Sequence, residues 1–70
     1  MRQYDPDVFL YHAPSDEEIE SITELRSMAA RFAEAISDLV PACADRTTAL
    51  RCVREALLWS NAAIVLKGRV

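Results

Sequence analysis

Glycine is almost missing from this chain. The only one, Gly68, stands third from the end of the 70 residues, which leaves no glycine-rich loop to cradle a phosphate. Histidine occurs once, as His12, and cysteine twice, as Cys43 and Cys52, with no CxxC or HxxxH spacing. That scarcity excludes a metal site of ordinary ligand spacing and a disulfide framework. No signal-peptide pattern precedes the cysteines, so a reduced, cytoplasmic chain is expected. Positive charge is also in deficit, with 8 basic against 11 acidic side chains and a net charge of -3. A polymeric nucleic-acid partner is therefore disfavoured, because its electrostatic footprint is lacking. Long hydrophobic runs are absent too: the stretch from Ala56 to Leu66 is interrupted by Ser60 and Asn61 and is too short to span a bilayer. No carboxylate and histidine stand close together on a rigid frame, and Cys52 has no evident base, so no enzymatic activity and no cofactor are expected.

What is present has to be stabilised by other means. A chain this small buries only about 60% of the surface its unfolded form exposes, and without disulfides or metal the remaining route is partner chains. The reading is therefore an all-α, self-associating single domain over residues 1–70.

Residues 1–14 read as a non-helical arm, since Pro6 and Pro14 bracket Tyr4, Val8, Phe9, Leu10 and Tyr11 and proline restrains both itself and the residue before it. Three of the five aromatic residues of the chain fall in this arm. Ser15 followed by Glu18 is a capping box, and Asp16, Glu17 and Glu18 complement the positive end of a helix dipole. Helix one is placed at 15–40. Its stripe of Ile19, Ile22, Leu25, Ala29, Phe32, Ile36 and Leu39 recurs at intervals of three and four, and Pro41 ends it.

A connector at 41–45 makes the two helices antiparallel neighbours, with Asp45 as candidate cap. Helix two is placed at 46–67, along Ala49, Leu50, Val53, Ala56, Leu57, Ser60, Ala63 and Ile64, and Gly68 is its C-terminal breaker. From Ala56 to Leu66 nearly every position is apolar or small around the whole helix, a pattern that demands cover on all sides. One hairpin partner covers one side. Leu58, Trp59, Val65 and Leu66 are thus assigned to an interface between chains, with Phe9 and Asn61.

The arm Phe9-Leu10-Tyr11-His12-Ala13-Pro14, Arg26 on helix one, the proline after Ile36-Ser37-Asp38-Leu39, and Glu55-Ala56 with Trp59 and Asn61-Ala62-Ala63-Ile64 together resemble a known family. It is the anti-CBASS cyclic-oligonucleotide sponge family of phages and prophages, which acts much as the Thoeris anti-defence sponges do. The resemblance runs from Phe9 to Ile64.

That resemblance implies a helical-hairpin hexamer in the bacterial host cytoplasm. It implies binding of cyclic dinucleotides and trinucleotides without cleavage, so that defence effectors are starved of their signal. Carried over, Tyr11 stacks on a base, Arg26 contacts a phosphate, and His12 meets the base edge, with Pro14 closing the arm motif. Met28 stands where some members place a hydroxyl residue, which leaves base preference open.

These roles make physical sense. A π face captures any base, contributing about 1 to 3 kcal/mol, and arginine offers a planar donor fork to a phosphodiester. Arg26 has Ile22 and Ala30 one turn away, so no acid at i±4 occupies it. Blander readings stay open beside these. Phe9 and Tyr11 suit an arm stapled over a neighbouring hairpin, Trp59 and Asn61 an interface anchor and a register-setting polar residue, and Arg46, Arg51 and Arg54 a solvated face. Two other functions also fit: a sponge for cyclic ADP-ribose isomers of Thoeris defence, and a structural assembly module.

Overall fold

The computed structural model describes residues 13–68 together with Pro6 and Leu10. Phe9, Tyr11 and His12, on which much of the sequence reading rests, lie outside the described residues.

The chain forms an α-helical hairpin of α1 (Asp16–Leu39) and α2 (Ala44–Leu66), with no strand among the described residues. α1 begins where a helix costs least to start. The Ser15 backbone N–H donates to the Glu18 carboxylate at 2.8 Å, and the Glu18 N–H donates back to the Ser15 hydroxyl at 3.2 Å, so donors at the helix entrance are satisfied reciprocally. It ends at Leu39 because Pro41 forces the residue before it out of helical space. Val40 accordingly has φ -105 and ψ 132, while its N–H still donates to the Ile36 carbonyl at 3.0 Å.

The start of α2 differs from expectation. The helix opens at Ala44 with Cys43 as N-cap, which shortens the connector to 40–43 and puts Asp45 in the first turn instead of at the cap. Cys43 turns the chain through an extended backbone, φ -163 and ψ 174, and offers no side-chain cap. Its carbonyl instead accepts from the Thr47 N–H at 3.2 Å and from the Thr47 hydroxyl at 3.4 Å. Asp45 contributes by charge against the helix dipole.

At the other end of α2 the left-handed residue is Lys67, φ 55 and ψ 40, with Gly68 following at φ 77. The Gly68 N–H reaches the Ala63 carbonyl at 3.0 Å and the Lys67 N–H the Ile64 carbonyl at 3.3 Å, the paired closure of a Schellman turn.

Packing within one chain is thin. Ile36 is the only buried side chain among the described residues, and Phe32 and Leu39, both in the expected α1 stripe, are 60% and 82% exposed. The stripe is wider than one neighbouring helix can cover. No described helix is long and apolar enough to cross a membrane.

Candidate functional site

The two helices leave an open apolar groove of about 600 Å³ along one face. Leu25, Met28 and Phe32 form its α1 wall and Cys52, Val53 and Ala56 much of its α2 wall, with Ser60 the one hydroxyl and no charged side chain among the lining residues. Such a surface accepts an apolar body and offers no positive charge to a phosphate.

The phosphate-binding candidate is elsewhere. Arg26 is exposed on α1 and absent from the groove lining, whereas Met28 lines it. Two residues apart on a helix means about 200° of rotation, and such pairs do not face each other. Arg26 and Met28 of one chain therefore occupy opposite flanks of α1. Pro14 is half-buried just ahead of the Ser15 cap.

The expected interface residues divide. Leu58 and Trp59 are exposed, while Asn61, Val65 and Leu66 are half-buried within the single chain. Asn61 carries a further peculiarity: its side-chain Oδ1 is sealed from solvent and has no hydrogen-bond partner among the described residues. A buried acceptor in that state is costly.

One carboxylate is tuned by its neighbours. The Ser15 N–H, followed by a smaller contribution from the Ser15 hydroxyl against the opposing effect of burial, holds the Glu18 carboxyl below its ordinary value. The Lys67 charge acts in the same direction, a sign that the start of α1 and the end of α2 stand side by side. No group of three or more potential metal ligands occurs among the described residues.

The sequence reading places Phe32 and Ala56 in the apolar stripes of the two helices and does not identify the groove they line. Met28 on α1 and Cys52 on α2 sit just beside the two main stripes, and with Leu25, Phe32 and Ala56 from those stripes they line the groove.

Residues 5–65 match the family described as Acb2/Tad1, hairpin domain. The chain belongs to the Acb2/Tad1 hairpin family. This is the anti-CBASS and anti-Thoeris sponge family indicated by the arm and helix-two motifs, and the matched span takes in Tyr11, His12, Arg26, Met28, Trp59 and Asn61. The Acb2/Tad1 family is linked to the binding of immune signalling nucleotides, and nucleotide binding and oligomerisation are implied in general terms. No curated protein and no solved structure matches the chain.

Proposed function

We propose that this chain is a phage or prophage anti-defence protein that binds and sequesters cyclic di- and trinucleotide immune signals, and so blocks activation of CBASS effectors. It acts in the bacterial host cytoplasm as a homo-oligomer, with a hexamer as the favoured form. The observation that carries the reading is the family match over 5–65, which includes Tyr11 and Arg26 together. The exposure of Arg26 supports it, since a guanidinium already in solvent is free to form charge-assisted bonds to a phosphate.

In this reading Tyr11 supplies the stacking face, Arg26 the phosphate fork, and His12 a polar contact at the base edge. The ligand is held by stacking and ion pairing, and no bond in it is made or broken. A cyclic dinucleotide has two bases and two phosphates in near-twofold arrangement, so paired copies of Tyr11 and Arg26 across a twofold contact match it. The opposed directions of Arg26 and Met28 on α1 favour such a shared pocket over one built within a single hairpin.

A second reading is a sponge for cyclic ADP-ribose isomers. The family description, which joins the anti-CBASS and anti-Thoeris members in one hairpin domain, favours keeping it.

The test mixes purified protein with cyclic dinucleotides, cyclic trinucleotides and cyclic ADP-ribose isomers, removes free ligand, releases the bound fraction by heat and chromatographs it. Retention of cyclic oligonucleotides returned intact is expected, and Tyr11→Ala should lose most of it. Retention of ADP-ribose isomers alone would select the second reading. Retention of no nucleotide, with Trp59→Ala abolishing activity in cells while Tyr11→Ala leaves it unchanged, would replace both with a structural assembly module.

A further inference from the structure

We propose that Arg54 is a second phosphate-binding residue, standing with Arg26 on the face of the hairpin opposite the groove, so that each chain meets a phosphodiester with one arginine from each helix. The choice of ligand rests on the sponge reading, and α2 thereby gains a part in the site.

Helix rotation puts the two on one face. Leu25 and Val53 line the groove, whereas Arg26 and Arg54, each the next residue in sequence, are absent from its lining. One residue is a turn of about 100°. Antiparallel helices viewed from one end turn in mirrored senses, so equal steps carry both residues to the same side, away from the groove.

Register brings them within reach. The groove runs from Leu25 to Ile36 along α1 and from Ser60 back to Ala49 along α2, which places Arg26 level with Trp59. Arg54 is then five residues, or about 7.5 Å, along the hairpin axis from Arg26, a gap that two long side chains close. On this face α1 presents alanine beside Arg54: Ala30 is exposed and Ala33 half-buried. Neither fills the space between the two guanidinium groups.

Charge separates this pair from the other arginines. Four described arginines are exposed: Arg26, Arg31, Arg51 and Arg54. Glu34 stands within one turn of Arg31 and Glu55 within one turn of Arg51, but no acid lies three or four residues from Arg26 or Arg54. Glu55, next in sequence to Arg54, does not face it. The charged neighbour that does is Arg51, three residues back, and like charges at that spacing destabilise a helix. Neither Arg26 nor Arg54 makes a hydrogen bond or ion pair among the described residues. An anion seated between them offsets the repulsion from Arg51 and receives two planar donor forks.

The test follows the arginine Nε–H signals by NMR while the protein is titrated with inorganic pyrophosphate and, separately, with a cyclic dinucleotide. Arg26 and Arg54 are expected to shift together, and the exposed Arg31 to stay in place. Calorimetry with the cyclic dinucleotide should show Arg54→Gln binding about ten-fold more weakly, Arg54→Lys in between and Arg31→Gln like the unaltered protein. Arg26→Gln combined with Arg54→Gln should lose less than the product of the single losses, because both side chains hold one phosphate. Circular dichroism checks that each variant keeps its helices. An Arg54 signal that moves no more than that of Arg31 overturns the proposal, as does an Arg54→Gln protein of undiminished affinity. Pyrophosphate shifts at both arginines without retention of any nucleotide leave the basic face standing and remove the sponge reading. Nucleotide retention with an unmoved Arg54 does the reverse.

Discussion

Ser15 and Glu18 cap one another: each residue's backbone N–H donates to the other's side chain, at 2.8 and 3.2 Å. The exchange fixes where α1 starts and leaves the Glu18 carboxyl more acidic than the ordinary value of 4.5. A carboxylate with a lowered folded-state pKa stabilises the fold fully above its unfolded pKa, and that contribution disappears as pH falls through the folded value. Stability should therefore decline on acidification below 4.5. Glu18→Gln, which keeps the shape of the box and removes the charge, should flatten the part of that decline due to this residue in denaturation curves recorded across pH. An unchanged pH profile would show that the cap does not depend on the charge.

Lys67 holds a left-handed backbone, φ 55 and ψ 40, without being glycine, a conformation that costs an ordinary residue about 1 kcal/mol or more. Lys67→Gly should relieve that strain and offset part of it by freeing the unfolded chain and removing the charge near Glu18. A net gain of a few tenths of a kcal/mol up to about 1 is expected in chemical denaturation. Lys67→Val should instead lose stability, since a β-branched side chain resists positive φ.

Arg26 is exposed, so Arg26→Ala should leave helix content and assembly mass unchanged. Its loss should weaken cyclic nucleotide binding by about 2 kcal/mol, roughly 30-fold, as expected for a hydrogen bond to a charged group. Arg26→Lys should restore only part of this, because an ammonium keeps the charge without the planar fork. Titration calorimetry on all three proteins at one salt concentration reads the difference. Equal affinities would remove Arg26 from the site.

Asn61 buries an oxygen without a partner among the described residues. Asn61→Leu should remove the desolvation cost and raise stability by about 1 kcal/mol. It should also broaden the range of oligomers in native mass spectrometry, since a buried polar side chain in an apolar helix specifies register at a cost in stability. A lower melting temperature with an unchanged oligomer would mean that another chain supplies the missing donor.

Local signals in the sequence proved the most legible. The Ser15 capping box and the stop before Pro41 depend on residues within one turn, and both are present in the structure. The start of α2 was misread because Asp45 has the right chemistry for a cap, while the backbone turns two residues earlier at Cys43, which has no capping side chain. Phe32 and Leu39 belong to a genuine 3.6-residue stripe, yet a stripe says only that a face is apolar and not which neighbour covers it. The same limit applies to the site. Arg26 and Met28 are each identifiable by their type and position, but their opposite directions on α1 are a property of helix rotation that a linear motif hides.

Ile36, the one side chain that the hairpin buries among its described residues, has a consequence for dosage. A chain with so little interior of its own gains most of its burial on association, so mass action governs how much of it is folded. The melting temperature should rise with protein concentration, and dilute chains should be the ones that proteases reach. Early in expression most copies would then be short-lived. Accumulation past a threshold would convert them together into long-lived assemblies, so the protein's effect should switch on steeply with synthesis instead of growing in proportion to it.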